Sequence, residues 1–472
     1  MLARVRSATL SGVEAIPLTV ECDISQGLPG IHTVGLPDAA VRESADRVRA
    51  AIRNAGFTVP PRRVTISLAP ADLRKQGAGL DLPIALGILV ANGDAPPRRL
   101  ADLLVIGELA LDGAVRNVPG CLPAALLARA TRIEEIVVPR SNREEALAVP
   151  GPGVHGVERL LDAVAVLRGE RRAEQATAAT FQTASCEGGP DLADVKGQAH
   201  ARRALEVAAA GGHHLLMVGP PGCGKTMLAR RLPGILPPLT LDESVEVTCV
   251  YSAAGLLRVP GLLRHRPFRA PHHTISGVGL VGGGRGPRPG EVTLAHRGVL
   301  FLDEMAEFGR GTLDVLRQPL EDGLVVITRA GQATRMPCRF VLVGAMNPCV
   351  CGNLGRSDRP CACTPAQVAQ YRSRVSGPLL DRFEIQVEVP PVPLKDLARA
   401  SRGIVPPPTD SARAILHRAI RGLGLSARAH DAVLRVARTI AHLEGSASIE
   451  GLHVAEAIQY RCLDRSPAHA ER

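Results

Sequence analysis

The sequence predicts a multidomain α/β protein, on three observations. An apolar run, Leu215 to Val218, is followed by the glycine-rich turn Gly219-Pro-Pro-Gly-Cys-Gly-Lys-Thr226 and by a helical stretch from Met227 to Leu232. Upstream, residues 1–168 mix short strand patterns with helical periodicity. Downstream, the proline-rich segments VEVPPVP and IVPPPTD introduce a helix-patterned end. These place an α+β domain at 1–168, a linker at 169–190, a P-loop α/β domain with a parallel sheet at 191–392 and a small helical domain at 393–472.

At 472 residues, each of these domains is large enough to form a core of its own. Hydrophobic content of 45% and charged content of 22% are ordinary for a soluble globular protein. No run of about 18 apolar residues offers a membrane span. The start, MLARVRSATLSGVEA, lacks the apolar core and cleavage-like site of a signal peptide. Eleven cysteines, mostly isolated, read as reduced thiols, so a cytoplasmic location is expected. The net charge of +10 permits a polyanionic partner, although arginines spread along the whole chain fit a plain compositional bias equally well. Aromatic residues at 2%, with no Trp, argue against a single-strand binder built on stacking platforms.

In the first domain, Val20-Glu-Cys-Asp-Ile24 alternates like a strand and Pro37 to Ala55 carries apolar residues at helical spacing. Arg63 to Leu68 reads as a strand, Leu82 to Val90 as an apolar helix and Leu103 to Leu111 as strand, turn, strand. Gly120 to Arg132 reads helical, and Ile136-Val-Val138 is a short buried strand. The runs QGAGLDLPIALGI and GELALDGAVRNVPGCLPAALLA resemble the proteolytic domain of Lon-type proteases, which has the ribosomal-S5-like fold. That family places a nucleophilic Ser and a Lys where this chain has Gly77 and Leu122. With no hydroxyl to attack and no amine to deprotonate it, acyl chemistry is not expected. The resemblance implies a scaffold without protease activity.

The central domain carries the chemistry. In strand–GxxxxGK[ST]–helix, glycines let successive backbone N–H groups curl around phosphate oxygens, and the helix start adds its positive end. The nucleotide-binding set is therefore Gly219, Pro220, Pro221, Gly222, Cys223, Gly224, Lys225, Thr226 and Met227. Lys225 reaches the β- and γ-phosphates of ATP, and the Thr226 hydroxyl holds Mg²⁺. Gly298-Val-Leu-Phe-Leu-Asp-Glu304 is an apolar strand ending in two acids, the Walker B pattern. Asp303 binds Mg²⁺ through water there, and Glu304 polarises the attacking water. Leu324 to Thr328 and Thr334 to Leu342 flank a basic tip and read as a β-hairpin, with Arg329 and Arg335 facing either a pore or plain solvent.

Phe340 to Asn347 is another buried strand, ending in an amide that fits a sensor of the γ-phosphate. Cys349 and Cys351, then nine residues, then Cys361 and Cys363 form two CxC pairs. Four such thiolates supply tetrahedral Zn²⁺ ligation, and unligated thiols are the competing reading. In LLDRF, Arg382 fits an arginine finger acting on a neighbouring subunit, or a salt bridge with Asp381. Arg428 opens the helical end where a second sensor arginine belongs, with Arg435 and Arg438 as competitors. The segment Asp194-Val-Lys-Gly-Gln198 resembles the adenine-contacting stretch of AAA+ ATPases, so Val195 is either that contact or part of a packed turn.

From residue 191 onward the chain resembles the Mg-chelatase-like AAA+ group, and with the Lon-like domain it resembles the ComM/YifB family end to end. The carrying motifs are GLPDAAVRES, GPPGCGKTMLARRLPGILPPL, FRAPHHTIS, GVLFLDE, LRQPLEDG, AMNPC and LSARAHDAVLRVARTIA. The resemblance implies a homo-hexameric, ATP-driven DNA translocase promoting branch migration of recombination intermediates in natural transformation. It also implies that Phe268 to Glu291 is an insert reaching toward a central pore, which makes Arg285 and Arg288 candidates for DNA phosphate contacts. Two other readings use the same ATPase core. A Mg-chelatase subunit is disfavoured by the Lon-like domain, whereas a protein-remodelling chaperone is compatible with it. One departure stands out: only about thirty residues, 394–422, separate VEVPPVP from LGLSARA, where the family pattern has a longer helical segment. A shortened lid is expected to weaken subunit contacts or nucleotide coupling.

Overall fold

The computed structural model describes residues 2–176 except 72–74, 76 and 98, and 190–391 except 259–260, 285–286, 330–331 and 357–358. It also describes 409–423 and, except for 431–432, 435, 439 and 442–443, residues 430–459. The α/β class and its parallel sheet are as the sequence predicts. No helix among the described residues is long and apolar enough to cross a membrane.

The N-terminal domain is a seven-stranded mixed sheet. Its order is Gly30–Val34, Arg63–Ala69, Glu14–Ser25, Leu2–Ser11, Leu103–Val105, Glu135–Pro139 and Gly153–Val157. The long hairpin Leu2–Ser11/Glu14–Ser25 is antiparallel, while the last three strands run parallel to Leu2–Ser11 or to each other. Helix Asp81–Asn92 is apolar on every side and buried from Asp81 to Ala91, as a helix enclosed by core must be. Its one charged side chain, Asp81, is fully buried. It accepts from Arg47 Nε at 2.8 Å and Nη2 at 3.1 Å, and from the Leu109 N–H at 3.3 Å, so the buried carboxylate keeps its partners. Residues expected in the linker also belong here: Glu174 exchanges backbone hydrogen bonds of 2.8 and 2.9 Å with Val154, covering the edge strand Gly153–Val157.

The central domain is a five-stranded parallel sheet in the order Phe268–Arg269, Val299–Leu302, Val341–Met346, Leu215–Val218, Ile385–Glu388. Both faces are covered. Leu216, Leu300, Leu302, Leu342 and Met346 face one core, and Leu215, Met217, Val299, Phe301 and Val343 face the other. That two-sided burial is why these strands read as unbroken apolar runs rather than alternating ones. The hairpin Leu324–Arg329/Gln332–Pro337 forms with Arg329 opposite Gln332. Its Val325 and Met336 are buried, and its Arg335 is exposed. Helices Asp410–Leu423 and Gly451–Gln459 pack through Ala412, Leu416, Val454 and Ala457 into a separate small core.

The first two domains meet across helix Leu241–Ala253. Its Val245 and Cys249 pack with Cys121, Leu122 and Val149 of the first domain. The Gly120 N–H donates to both the carbonyl and the hydroxyl of Ser252 at 3.1 Å. Glu145, buried, accepts from the Ser252 hydroxyl, from the Leu122 N–H at 2.8 Å and from Asn142 Nδ2 at 3.0 Å. Truncating this carboxylate strands three buried donors. Glu145→Ala is expected to lose about 3 kcal/mol, read as a fall in the thermal unfolding midpoint. Glu158→Ala, which breaks the exposed pair with Arg140, should change stability by less than about 1 kcal/mol.

Candidate nucleotide and metal sites

Three parallel strands end side by side at the carboxyl edge of the central sheet, and the segments leaving them form the candidate site. The Gly219 N–H donates to the Met346 carbonyl at 3.1 Å, fixing the P-loop to the strand that precedes Asn347. A side chain at Gly219 would meet the Val389 carbonyl oxygen at 2.2 Å, so only glycine lets the loop leave the sheet here. The loop then turns over Gly222 and Gly224 into a helix starting at Lys225.

Lys225 is buried, and its ammonium donates to the carbonyls of Gly219 at 2.6 Å and Pro220 at 3.0 Å, and to Asn347 Oδ1 at 3.3 Å. Burial lowers its pKa from the ordinary lysine value, against the opposing pull of Cys223, Asp303 and Glu304. An anionic phosphate oxygen adds charge–charge attraction that a neutral carbonyl lacks, so the loop is set to exchange its own oxygens for those of a nucleotide. The Thr226 hydroxyl donates to Asp303 Oδ2 at 2.6 Å. The P-loop and the Walker B strand thus bring a hydroxyl and a carboxylate together, the oxygen donors Mg²⁺ takes beside phosphate. Glu304 sits in the left-handed region at φ 51°, a conformation costing a non-glycine residue roughly 1–2 kcal/mol. Its carboxylate is exposed, with His273 Nδ1 at 3.9 Å from Oε2.

The sequence-predicted residues Lys225, Thr226, Asp303, Glu304 and Asn347 are therefore brought together. Others fall elsewhere. Val195 is buried with Ala201, Leu205 and Leu228, the packed-turn arrangement, and that packing does not support an adenine contact through its side chain. Met227 is half-buried against the same core. Arg382 pairs with Glu321, not with its neighbour Asp381, because the turn after Gly377–Leu380 points it across to helix Arg317–Asp322. Both partners are half-exposed, and such a pair is worth about 0–1 kcal/mol, weak enough to yield to a phosphate. Arg428, Arg435 and Arg285 lie outside the described residues, as does the Arg329 side chain. Arg438 donates to the Ala447 carbonyl at 3.1 Å within the helical domain. Arg288 is exposed in a short ladder with Gly282–Gly283.

The four cysteines form one cluster. Sulfur–sulfur distances are 3.4 Å for Cys349–Cys351 and 3.6 Å for both Cys349–Cys361 and Cys351–Cys361, and all four sulfurs lie within 4.8 Å of one another. Tetrahedral ligation with Zn–S of about 2.3 Å requires sulfurs roughly 3.8 Å apart, and the cluster fits. These separations are well beyond a disulfide bond of about 2 Å. Backbone N–H groups of Asn353 and Ala362 lower the Cys351 thiol to about 6. At Cys361 the Cys363 N–H is outweighed by desolvation and the neighbouring Cys351 and Cys349 thiols, which push it up to about 12, so Cys351 is the readier thiolate of the two. Gly352, at φ 77°, lies against Pro221 of the P-loop, where a side chain would meet Pro221 Cδ at 2.7 Å.

Two features escaped the sequence. The strand Ile385–Glu388 lies in EIQVEV, whose short alternation is the one local signal for it and is cut off by the prolines that follow. The approach of His273 to Glu304 needs a crossing between strands that no local pattern announces. Lys225→Ala is expected to abolish binding of a fluorescent ATP analogue. The purified protein should carry about one zinc per chain by metal analysis, and Cys361→Ser combined with Cys363→Ser should remove it.

The sequence is similar to known families and proteins along nearly its whole length. The family described as magnesium chelatase, subunit ChlI, matches residues 191–397. Two companion descriptions, subunit ChlI of Mg-chelatase and its C-terminal part, match residues 20–142 and 398–461. The competence protein ComM of Haemophilus influenzae is 42% identical over 503 residues, covering 98% of each chain. YifB of Salmonella typhimurium is 42% identical over 514 residues, covering 100% of this chain and 99% of its own. Both alignments exceed the 472 residues of this chain, so each relative has segments with no counterpart here. The magnesium-chelatase 38 kDa subunit of Chlorobaculum parvum is 28% identical but covers only 28% of this chain. A P-loop and Walker B pair on a five-stranded parallel sheet, joined to an N-terminal α+β domain and aligned end to end with these relatives, mean that the chain belongs to the ComM/YifB family of Mg-chelatase-like AAA+ proteins.

Proposed function

We propose that this chain is an ATP-driven DNA motor, assembled as a hexamer, that promotes branch migration of recombination intermediates during natural transformation. Its main support is an assembled nucleotide site in a chain that aligns over 98% of its length with a competence protein. ATP binding takes Lys225 off its own carbonyls and onto the β- and γ-phosphates, while Asn347, already bonded to Lys225, stays beside the γ-phosphate. Thr226 and Asp303 would hold Mg²⁺, which would supply charge neutralisation at the phosphate oxygens. Glu304 orients and takes the proton of the attacking water. Arg382 leaves Glu321 for the nucleotide of a neighbouring subunit, adding a second cation to the one Lys225 brings to the γ-phosphate.

Cargo contact falls to exposed arginines rather than to aromatic platforms. Arg288 on the insert and Arg335 on the hairpin present guanidinium groups to solvent, and phosphates are the target of a motor that ignores base sequence. The deciding experiment compares ATP turnover of the purified protein with and without a synthetic four-way DNA junction. Stimulation by the junction, weakening steeply with salt and lost in Glu304→Gln, is the expected result. Turnover indifferent to every DNA form would overturn the DNA reading in favour of protein remodelling, and dependence on a porphyrin would point to a chelatase.

A further inference from the structure

The N-terminal domain is expected to carry no acyl chemistry, yet its first hairpin reaches into the ATPase domain. Strands Leu2–Ser11 and Glu14–Ser25 pair as far as Ser11 opposite Glu14, which leaves a two-residue turn, Gly12-Val13. Gly12, at φ 65°, fills the first central position, where a type II′ turn takes glycine. Both turn residues are buried, against the surface position that loops ordinarily take.

What buries them belongs to the central domain. Val13 packs with Val250 of helix Leu241–Ala253 and with Leu294 of helix Glu291–Leu294. Gly12 lies against strand Gln332–Pro337. A side chain there would begin 2.6 Å from the Thr334 methyl, 3.3 Å from Met336 Cγ and 3.5 Å from the Arg335 carbonyl oxygen.

The hairpin Leu324–Arg329/Gln332–Pro337 presents two faces, as alternation along its strands requires. The opposed pairs Val325–Met336 and Ile327–Thr334 face inward, and Val326 and Arg335, opposed between them, are exposed. Val325 and Met336 sit in the core that holds Met305 and Phe308. One step nearer the hairpin tip, Thr334 rests on Gly12, and Ile327 Cδ1 comes within 3.5 Å of the place a side chain at Gly282 would take. The backbone that carries Arg335 is thus backed by the N-terminal turn. A two-stranded hairpin is marginally stable by itself, so an exposed guanidinium near its end takes its position from what lies behind it. The turn cannot give way easily, because the bonds of Glu145 and Gly120 with Ser252 tie its domain to the same helix that Val13 meets.

We infer that Gly12 and Val13 brace the Arg335 hairpin, so that the N-terminal domain is the abutment against which cargo is gripped and Gly12 is a positioning residue. The brace rests on the reading of Arg335 as a cargo contact and assigns the part of the chain that sets its position.

The test uses the full chain. Steady-state ATP turnover is read across a titration of a synthetic four-way DNA junction, and hydrogen–deuterium exchange is read without DNA on strands Leu324–Arg329 and Gln332–Pro337. Gly12→Ala drives one methyl into that of Thr334. The junction concentration for half-maximal stimulation is expected to rise about three- to ten-fold, the size of coupling between residues in contact. The KM for ATP should stay as in wild type, and exchange in the two strands should speed up. Thr334→Ser removes the methyl that the alanine meets, so the double variant should recover most of both readouts. Backbone strain at φ 65° is the same in the single and the double variant, so recovery separates a positional effect from a plain loss of stability. Val13→Ala opens a gap beside Val250 and Leu294. It should move both readouts the same way, and it carries the test if Gly12→Ala fails to fold. A folded variant, Gly12→Ala or Val13→Ala, with wild-type junction response and exchange overturns the brace, and so does a Gly12→Ala defect that Thr334→Ser leaves in place. Exchange that rises and is rescued in a protein that no DNA stimulates keeps the brace and overturns DNA as the cargo.

Discussion

Strand Leu215–Val218 pairs in parallel with Val341–Met346 on one side and Ile385–Glu388 on the other, in registers that bring Val218 level with both Met346 and Glu388. Three segments consequently leave the sheet at one height, and the P-loop is pinned between the other two. The Gly219 N–H bonds to Met346, while the bare Cα of Gly219 passes the Val389 carbonyl with no room for a Cβ. The chemistry of the site depends on that level exit. Asn347 is one residue past Met346 and so reaches Lys225. Asp303 comes after Leu302, which pairs with Gly344, and so reaches Thr226. A one-residue slip would turn each of these side chains to the opposite face of the sheet, so the register of buried apolar strands is what sets the geometry of a polar site.

Most of this was legible in the chain because motif and register are coupled. The glycine turn, the acids after GVLFLDE and the amide after VLVGAM each come after a buried apolar run, and such runs have few alternatives to a central parallel strand. The helix Asp81–Asn92 was legible from an apolar run too long for such a strand, bounded by Asp81 and Gly93. Less legible were contacts made by long flexible side chains. Arg382 sits beside Asp381 in sequence but pairs with Glu321, sixty-one residues away, because the turn sets the direction of the side chain and proximity in sequence does not. Val195, which the sequence leaves open between an adenine contact and a packed turn, is buried with Leu205 and Leu228.

The N-terminal domain uses for packing the position that the resemblance to Lon-type proteases sets against a lysine of that family. Leu122, at that position, is buried with no exposed atom to offer, and its N–H donates to Glu145 beneath helix Leu241–Ala253. Helix Cys121–Ala130, which begins there, instead forms part of the seam between two domains. The seam is polar at its centre, where Gly120, Ser252 and Glu145 exchange hydrogen bonds, and apolar around it through Cys121, Cys249 and Val149. A satisfied polar centre fixes one relative orientation, since sliding the interface would strand a buried carboxylate. Helix Leu241–Ala253 in turn holds the loop before the Walker B strand: Glu246 meets His296 at 3.1 Å and Arg297 at 2.8 Å.

Two loops therefore flank the residues proposed to face the γ-phosphate, and their stiffness differs. On one side the cysteine loop begins two residues after Asn347 and closes on Pro221 through Gly352. Four sulfurs at ligand spacing make it a rigid arm once a metal joins them. On the other side the histidine loop meets Glu304 across 3.9 Å of half-exposed space, backed only by ring contacts and a hydroxyl. A phosphate sensor has to keep its position through every cycle, so its loop gains from rigidity. Glu304 by contrast is exposed, and the His273 imidazole stands beyond hydrogen-bond reach, so its carboxylate is free to reorient while the amide beside Lys225 is held.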